Sequence, residues 1–217
     1  MRRSLLLDLL YPPKCVFCGA LLEDVRALMC PQCRQELPWL RGAEAEQEKE
    51  FISLCVSPLR YQGKVRDSIR RYKFSGMFSF CQVYGELTAR CVRERLTGRY
   101  DLISWVPVSR KRRRERGYDQ AFLLARETAQ ALEAGAPVSL LEKIRNNPPQ
   151  SGLEEQAARR ANVMGAYRVP APQAASGKRI LLIDDVVTTG ETLSECARML
   201  RLSGARDVVC ASLARAR

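Results

Sequence analysis

The sequence predicts an α/β protein in which a mostly parallel, doubly wound sheet has helices on both faces and follows a small cysteine-rich unit. Three observations support this fold class. From residue 51 onward, short apolar runs alternate with segments of helical spacing, which is the pattern of parallel strands joined by helices. Residues 180–183 form an unbroken apolar run, as in a strand buried on both faces. The first 40 residues contain two closely spaced cysteine pairs instead.

The elements of the sheet domain are expected in regular succession. Strands are predicted over 51–56, 101–106, 138–144, 166–169, 179–183 and 207–213, and helices over 64–75, 79–97, 120–132 and 191–202. Gly76 separates the first two helices, Pro107 closes the second strand, and Asp119 is suited to cap the third helix. The acidic segment 41–50 is predicted as a linker or a solvated helix. It divides the chain into a unit at 1–40 and a domain at 51–217.

Composition excludes several classes of protein. The chain has 217 residues, 46% of them apolar, and it contains no histidine. Without histidine, Ser-His-Asp catalysis, Cys-His catalysis and histidine-bound metals are excluded. No apolar run approaches the ~18 residues of a membrane-spanning helix, so membrane insertion is not expected. The leucine-rich start is interrupted by Asp8 and ends at two prolines, which predicts a short amphipathic helix and a cytoplasmic protein rather than a signal peptide.

The positive charge belongs to the larger domain. Residues 1–60 have 8 basic and 8 acidic side chains, whereas residues 61–217 have 28 and 16, which accounts for the whole formal net charge of +12. The larger part is therefore expected to attract polyanions, either phosphate esters or nucleic acid. Its densest basic cluster is the run 110–116, with six basic residues in seven. This run is interpreted as a solvated loop, a pyrophosphate clamp or a contact to a nucleic-acid backbone, and the three alternatives stay open.

The cysteines of the first unit have the spacing of a metal site. Cys15, Cys18, Cys30 and Cys33 form two Cys-x2-Cys pairs with 11 residues between them. Two such pairs can surround Zn²⁺ with four thiolates and leave no open position, so a structural zinc is predicted over a redox dithiol or simple buried cysteine. The total of nine cysteines is odd, which favours a reducing compartment over a disulfide framework. The others lie in apolar contexts and are expected in the core: Cys55, Cys81, Cys91, Cys196 and Cys210.

The most informative segment follows the apolar run at 180–183. Asp184 and Asp185 stand at the carboxyl end of the predicted strand, where open α/β sheets bind ligands. Residues 188–192, T-T-G-E-T, then open a helix whose unpaired first-turn N–H groups favour a phosphate. The ligand is thus expected to combine a phosphate with sugar hydroxyls that face the two carboxylates.

The acidic pair has three alternative interpretations. A receiver domain needs more chain than the 32 residues that follow Asp185. A nucleotide triphosphatase needs an upstream G-x4-G-K-[ST] loop, and Arg179 stands where that motif requires Ser or Thr after Gly177 and Lys178. An acidic cap before an ordinary helix is the remaining alternative, although one carboxylate would be enough for capping.

This segment resembles the signature by which type I phosphoribosyltransferases bind phosphoribosyl pyrophosphate (PRPP), and the cysteine quartet narrows the resemblance to the ComF family of competence-associated proteins. Three further stretches are similar to that family: V-P-V-S…R-G-Y-D-Q at 106–120, the P-P-Q…R-A-N-V…A-Y block at 148–167, and Y-K-F-S-G at 72–76. Together they span nearly the whole chain. Asn147 departs from the pattern, since relatives often have Thr there.

The resemblance implies a type I phosphoribosyltransferase-like fold and a role for each part of the site. The acidic pair, Asp184 and Asp185, would bind the ribose 2- and 3-hydroxyls, and Mg²⁺ would accompany PRPP. The flexible loop that closes over such sites would correspond to residues 146–162. The segment that holds the 5-phosphate would consist of Val187, Thr188, Thr189, Gly190, Glu191 and Thr192. The pyrophosphate loop would consist of Pro107, Val108, Ser109 and Arg110.

Two functions are compatible with these implications. The first is an enzyme that transfers ribose 5-phosphate from PRPP to an acceptor and releases pyrophosphate. The second is a non-catalytic module of DNA uptake that binds PRPP, single-stranded DNA or both, and that partners a competence helicase. The fold alone does not decide between them. The acceptor cannot be deduced from the sequence, because base specificity in these enzymes resides in a variable hood, whose place the zinc unit would occupy here.

Overall fold

The computed structural model describes residues 12–24, 27–145 and 163–216. The predicted N-terminal amphipathic helix and the loop 146–162 lie outside the described residues. Within the described ranges, no helix combines the length and the apolar character needed to cross a membrane.

The cysteine-rich unit is small and has little regular structure. Its chain reverses at an isolated bridge between Lys14 and Leu21, and its helix α1 (Pro31–Glu36) begins at Cys30. A second bridge, between Trp39 and Leu59, connects the end of this unit to the larger domain. Its apolar side chains share one core with the larger domain, so the two parts pack as a continuous body.

The larger domain is built on a mostly parallel sheet. Among the described residues there are eight strands: β1 (Glu46–Lys49), β2 (Ile52–Val56), β3 (Leu59–Arg60), β4 (Leu102–Trp105), β5 (Glu142–Lys143), β6 (Tyr167–Arg168), β7 (Arg179–Val187) and β8 (Asp207–Arg215). The main sheet has the order β1-β2-β8-β7-β4, with β3 paired to the end of β8. β2, β8, β7 and β4 are mutually parallel, and β1 is an antiparallel edge strand. β5 and β6 form a separate antiparallel pair.

Helices cover both faces of the sheet, as the sequence predicts. The described helices of the larger domain are α2 (Gly63–Phe74), α3 (Cys81–Arg95), α4 (Arg110–Arg116), α5 (Gln120–Ala131), α6 (Pro172–Ala175) and α7 (Glu191–Leu202), with 3₁₀ turns at Gly42–Ala45 and Phe78–Phe80. Side chains alternate along β7: Leu181 and Ile183 pack with α2, α3 and α5, whereas Ile180 and Leu182 pack with α7 and β6. This double burial explains the unbroken apolar run at the start of β7.

The acidic segment is neither a linker nor a solvated helix. It forms the 3₁₀ turn Gly42–Ala45 and the edge strand β1, which pairs with β2. Its carboxylates are bound by arginines of the larger domain: Glu44 pairs with Arg60 at 2.8 Å and Glu46 with Arg95 at 2.7 Å. The sequence interpretation was wrong here because the partners of these acidic residues lie far along the chain. The division into 1–40 and 51–217 stays a prediction.

Four other element predictions need correction. The basic run, for which a solvated loop was one of three open interpretations, forms the helix α4, whose first turn is capped by the hydroxyl of Ser109. The strand predicted over 138–144 is reduced to β5, and that over 166–169 to β6, which pairs with β5 outside the main sheet. β7 continues past the apolar run through both aspartates to Val187.

Candidate functional site

The two aspartates near the end of β7 point to opposite faces of the sheet, because successive side chains of a strand alternate. Asp184 lies on the face covered by α7, and its Oδ1 accepts the backbone N–H of Asp185 at 2.8 Å. Asp185 lies on the face covered by α2, and its carboxylate is only 8% exposed. The acidic pair thus offers one carboxylate to each side of the end of β7.

Lys73, in the last turn of α2, neutralises one of these carboxylates. Its Nζ lies 2.7 Å from Oδ1 of Asp185, and its side chain is 20% exposed. Sequence reasoning noted the family-like stretch at 72–76 but did not assign Lys73 to the site. The motif was the only available signal, since 112 residues separate the two partners.

Burial dominates the electrostatics of the other carboxylate. Removal from water, and then the charge of Asp185, raise the pKa of Asp184 to about 8, and the ammonium of Lys73 offsets part of that shift. The ionised form of a carboxyl group with a raised pKa is stabilised by a ligand that donates hydrogen bonds to it or brings a cation close. Sugar hydroxyls and Mg²⁺ are ligands of these two kinds.

The loop after β7 begins the helix α7 without a side-chain cap. Gly190 occupies the N-cap position in the left-handed conformation, with φ 87°, and makes no side-chain cap hydrogen bond. Val187 is buried, Thr188 is exposed, and Thr189 and Thr192 are half-buried. Glu191 is the first residue of α7. First-turn N–H groups have no partner within the helix itself, and together with threonine hydroxyls they form a suitable environment for a phosphate.

The predicted pyrophosphate loop begins beside the acidic pair. The N–H of Val106, just before it, donates to the carbonyl of Ile183 at 2.9 Å. Within the loop, the N–H of Val108 donates to Oδ2 of Asp119 at 3.3 Å. Pro107, Val108 and Ser109 are therefore held at the same sheet edge as the acidic pair. Arg110 instead has an 84% exposed side chain that pairs with Glu142 at 2.9 Å.

The helix α4 has a protected and an exposed basic face. Arg112 and Arg116, one turn apart, are half-buried, whereas Arg113 and Arg114 are exposed. The guanidinium of Arg116 lies 4.9 Å from the centre of the Phe74 ring. Burial lowers the pKa of Arg116, and the nearby carboxylate of Asp185 opposes that shift. The protected face is thus close to the acidic pair, and the sequence alone could not distinguish the two faces.

The cysteine quartet has the geometry of a metal centre. The sulfur atoms of Cys15, Cys18, Cys30 and Cys33 all lie within 4.8 Å of one another, and those of Cys18 and Cys30 are 3.7 Å apart. Tetrahedral zinc with Zn–S bonds of about 2.3 Å places its sulfur ligands about 3.8 Å apart, so the residues fit a structural zinc. The backbone N–H of Cys33 donates to Sγ of Cys30 at 3.4 Å and supports the thiolate.

The first pair of cysteines is anchored to α2. Arg71 donates to the carbonyl oxygens of Val16 and Phe17 at 2.9 and 2.8 Å, and the hydroxyl of Ser68 donates to that of Val16. Phe17 also packs against Tyr84, with ring centres 6.0 Å apart. One helix therefore holds the metal unit through Arg71 and the acidic pair through Lys73.

Comparison with known proteins gives a consistent result for both parts of the chain. Residues 119–217 match the model of the phosphoribosyl transferase domain, and residues 6–45 match that of the double zinc ribbon domain. Competence protein F of Haemophilus influenzae is 29% identical over 210 residues, which cover 94% of this chain and 85% of that protein. DNA utilization protein YhgH of Escherichia coli O157:H7 is 29% identical over 184 residues, covering 83% and 75%. Competence protein ComFC of Streptococcus pneumoniae is 23% identical over 203 residues, covering 93% and 87%.

Proposed function

The chain belongs to the ComF family, and from this premise we propose that it is a cytoplasmic, PRPP-binding protein that acts in DNA uptake or use. One observation carries the proposal: two carboxylates near the end of β7 are followed within a few residues by an uncapped, threonine-rich helix start. A ligand that spans these groups needs hydroxyls at one end and a phosphate at the other, and PRPP has both.

The ribose and its 5-phosphate are assigned to β7 and the loop that follows it. Asp184 and Asp185 accept hydrogen bonds from the 2- and 3-hydroxyls. Thr188, Thr189 and Thr192 donate to the 5-phosphate together with the first N–H groups of α7. The hydroxyls lower the cost of a charged Asp184, since a hydrogen bond to the ionised form favours it.

The pyrophosphate end is assigned to the neighbouring β4 side. Backbone groups of Pro107–Ser109 meet the acidic pair at the same sheet edge, and the protected face of α4 adds Arg112 and Arg116. Carboxylate and phosphate oxygens supply the donors that Mg²⁺ prefers, and the metal offsets phosphate charge. If the protein is a transferase, these cations stabilise the pyrophosphate as it leaves, so the residues act through electrostatics and positioning.

A second candidate function is supported by the outer surface beside this site. Arg113 and Arg114 are exposed, and no ion pair with either occurs within the described ranges. Phe74, whose ring lies 4.9 Å from the guanidinium of Arg116 on the same helix as these two arginines, is 71% exposed, and Phe78 is 61% exposed. Cations next to exposed aromatic rings suit single-stranded DNA, whose phosphates and bases they contact. In this role the protein is a binding module that works with a competence helicase.

Titration of the zinc-loaded protein with PRPP and Mg²⁺ tests the first proposal. We expect saturable heat in calorimetry, and at about 100 times its Kd the ligand should stabilise the fold by about 2.7 kcal/mol. A parallel assay measures pyrophosphate release in the presence of candidate amines and bases. The absence of both binding heat and thermal stabilisation would refute PRPP binding. Binding without pyrophosphate release would favour the non-catalytic module.

Alanine substitution of each arginine pair of α4 tests whether the two faces of that helix bind different ligands. The Arg112→Ala/Arg116→Ala double variant should bind PRPP and free pyrophosphate at least about ten-fold more weakly, because charge-assisted hydrogen bonds are lost. The matched Arg113→Ala/Arg114→Ala variant should keep PRPP affinity. Its affinity for single-stranded DNA should fall, with a salt slope reduced by about 0.7 for each lost phosphate contact. Equal loss of PRPP binding in both variants would contradict the assignment.

A further inference from the structure

The acidic segment contains a single cation. Within residues 42–50, Glu44, Glu46, Glu48 and Glu50 surround Lys49, which is the only lysine or arginine there. Glu44 and Glu46 are held by Arg60 and Arg95. By contrast, no ion pair within the described part of the chain includes Lys49, although its side chain is half-buried. A half-buried ammonium without a carboxylate at hydrogen-bond distance can accept an anionic partner.

Lys49 lies directly over the start of α7. A Cβ atom built on Gly190 would be 2.8 Å from Cε of Lys49, 3.0 Å from Cδ and 3.4 Å from Cγ. The aliphatic stem therefore occupies the space that a side chain at position 190 would need. Its ammonium, one bond beyond Cε, is next to the loop assigned to the 5-phosphate.

The edge strand fixes this placement. β1 pairs with β2 through Glu46 with Val56 and Gln47 with Cys55, and a shift of register between Gln47 and Lys49 places Lys49 opposite Ile52. Arg215 also donates to the carbonyl of Glu46 at 3.1 Å, and it is paired in register with Val187, where the phosphate loop begins.

We propose that Lys49 is the side-chain cation of the 5-phosphate site. This inference rests on the proposed PRPP binding and adds a group to it that comes from outside the 187–192 segment. A phosphate monoester carries nearly two negative charges at neutral pH, and helix N–H groups and threonine hydroxyls supply hydrogen bonds but no full positive charge. Lys49 supplies that charge, while its stem covers Gly190 and excludes water from one side of the loop.

The test compares Lys49→Met with Lys178→Met by calorimetry, using PRPP with Mg²⁺, ribose 5-phosphate and pyrophosphate as separate ligands. Methionine keeps an unbranched apolar stem over Gly190 and removes only the charge, and Lys178 is an exposed lysine away from the site. We expect Lys49→Met to weaken PRPP and ribose 5-phosphate about ten-fold or more and to leave pyrophosphate within about two-fold. Lys49→Arg should recover part of the loss.

Each outcome distinguishes the inference from the function on which it rests. If the unchanged protein does not bind PRPP, the proposed function fails. If it binds PRPP and Lys49→Met binds ribose 5-phosphate equally well, Lys49 is not a phosphate ligand. Tighter binding by Lys49→Met would also overturn the inference, because it would mean that the lysine blocks the loop. An equal loss for pyrophosphate would show a general effect of net charge.

Discussion

Removal of zinc is expected to unfold the cysteine-rich unit and to lower the melting temperature of the whole protein. The unit is too small to bury a sufficient core, so the metal should supply much of its folding free energy. Unfolding of the unit also deprives Arg71 and Ser68, both on α2, of the carbonyl acceptor of Val16 that they share. If about 3 kcal/mol of the metal's contribution reaches the larger domain, the melting temperature falls by roughly 6–12 °C.

The cysteine and tryptophan positions allow a controlled test of this expectation. Cys18 is exposed, so Cys18→Ser removes a ligand with little change in packing, whereas Cys91→Ser alters a buried cysteine outside the metal cluster. Zinc content measured for each variant should fall only for Cys18→Ser. The two tryptophans report on different parts of the protein. The indole N–H of Trp39 donates to the carbonyl of Arg34 at the end of the metal unit, and Trp105 is the last residue of β4 in the sheet.

Fluorescence of single-tryptophan variants then identifies what unfolds. After chelation, Trp39 should shift to the emission of a solvated ring, while Trp105 keeps its spectrum at low temperature. Unchanged Trp39 emission and superimposable melting curves, with zinc shown to be absent, would contradict a structural role for the metal.

Local features of the sequence were sufficient to predict the central part of the fold. Residues 180–183 are buried on both faces and must be apolar throughout. The small residues around Gly190 both begin the helix α7 and suit a phosphate, so one local pattern predicts both features. The cysteine quartet was equally local, because ligand type and spacing alone define a tetrahedral thiolate site. In these places the structural requirement and the sequence pattern concern the same few residues.

The misinterpretation of the acidic segment and the omission of Lys73 and Lys49 involve partners that are distant in the chain. The segment 41–50 looked like a solvated linker because Arg60 and Arg95, which bind its glutamates, are not near it in sequence. Lys73 reaches Asp185 only through the packing of α2 on the sheet, and Lys49 reaches Gly190 only through the pairing of β1 with β2. Composition also could not show that α4 has two different basic faces.

Substitution of the two adjacent aspartates by asparagine is expected to change stability in opposite directions while weakening PRPP in both cases. Asp184→Asn removes a carboxyl group that burial keeps partly neutral, so it should stabilise the free protein. Asp185→Asn removes the partner of Lys73 and leaves that ammonium without its carboxylate, which should cost about 1–3 kcal/mol. Loss of a charge-assisted hydrogen bond to a ribose hydroxyl should lower PRPP affinity about 10- to 100-fold in each variant.

The pH dependence gives the sharpest form of this prediction. The pKa of Asp184 is about 8 in the folded protein, against about 4 in an unfolded chain. Between these values the unfolded chain releases a proton that the folded protein keeps, so the free energy of unfolding falls as pH rises through this interval and levels above it. Asparagine cannot ionise. The gain in melting temperature of Asp184→Asn over the unchanged protein should therefore increase from pH 5 to pH 8 and then stay constant.

A matched surface change separates this effect from loss of negative charge in general. The Asp67 side chain, on the outside of α2, is 62% exposed, so Asp67→Asn should alter stability by less than about 0.5 kcal/mol at either pH. Differential scanning calorimetry at pH 5, 6.5, 8 and 9 measures all three variants without ligand. A gain for Asp184→Asn that is the same at every pH would contradict the raised pKa of Asp184, and stabilisation by Asp185→Asn would contradict the ion pair with Lys73. In the proposed function, the carboxylate of Asp184 destabilises the free fold and gains hydroxyl and Mg²⁺ partners when the ligand binds.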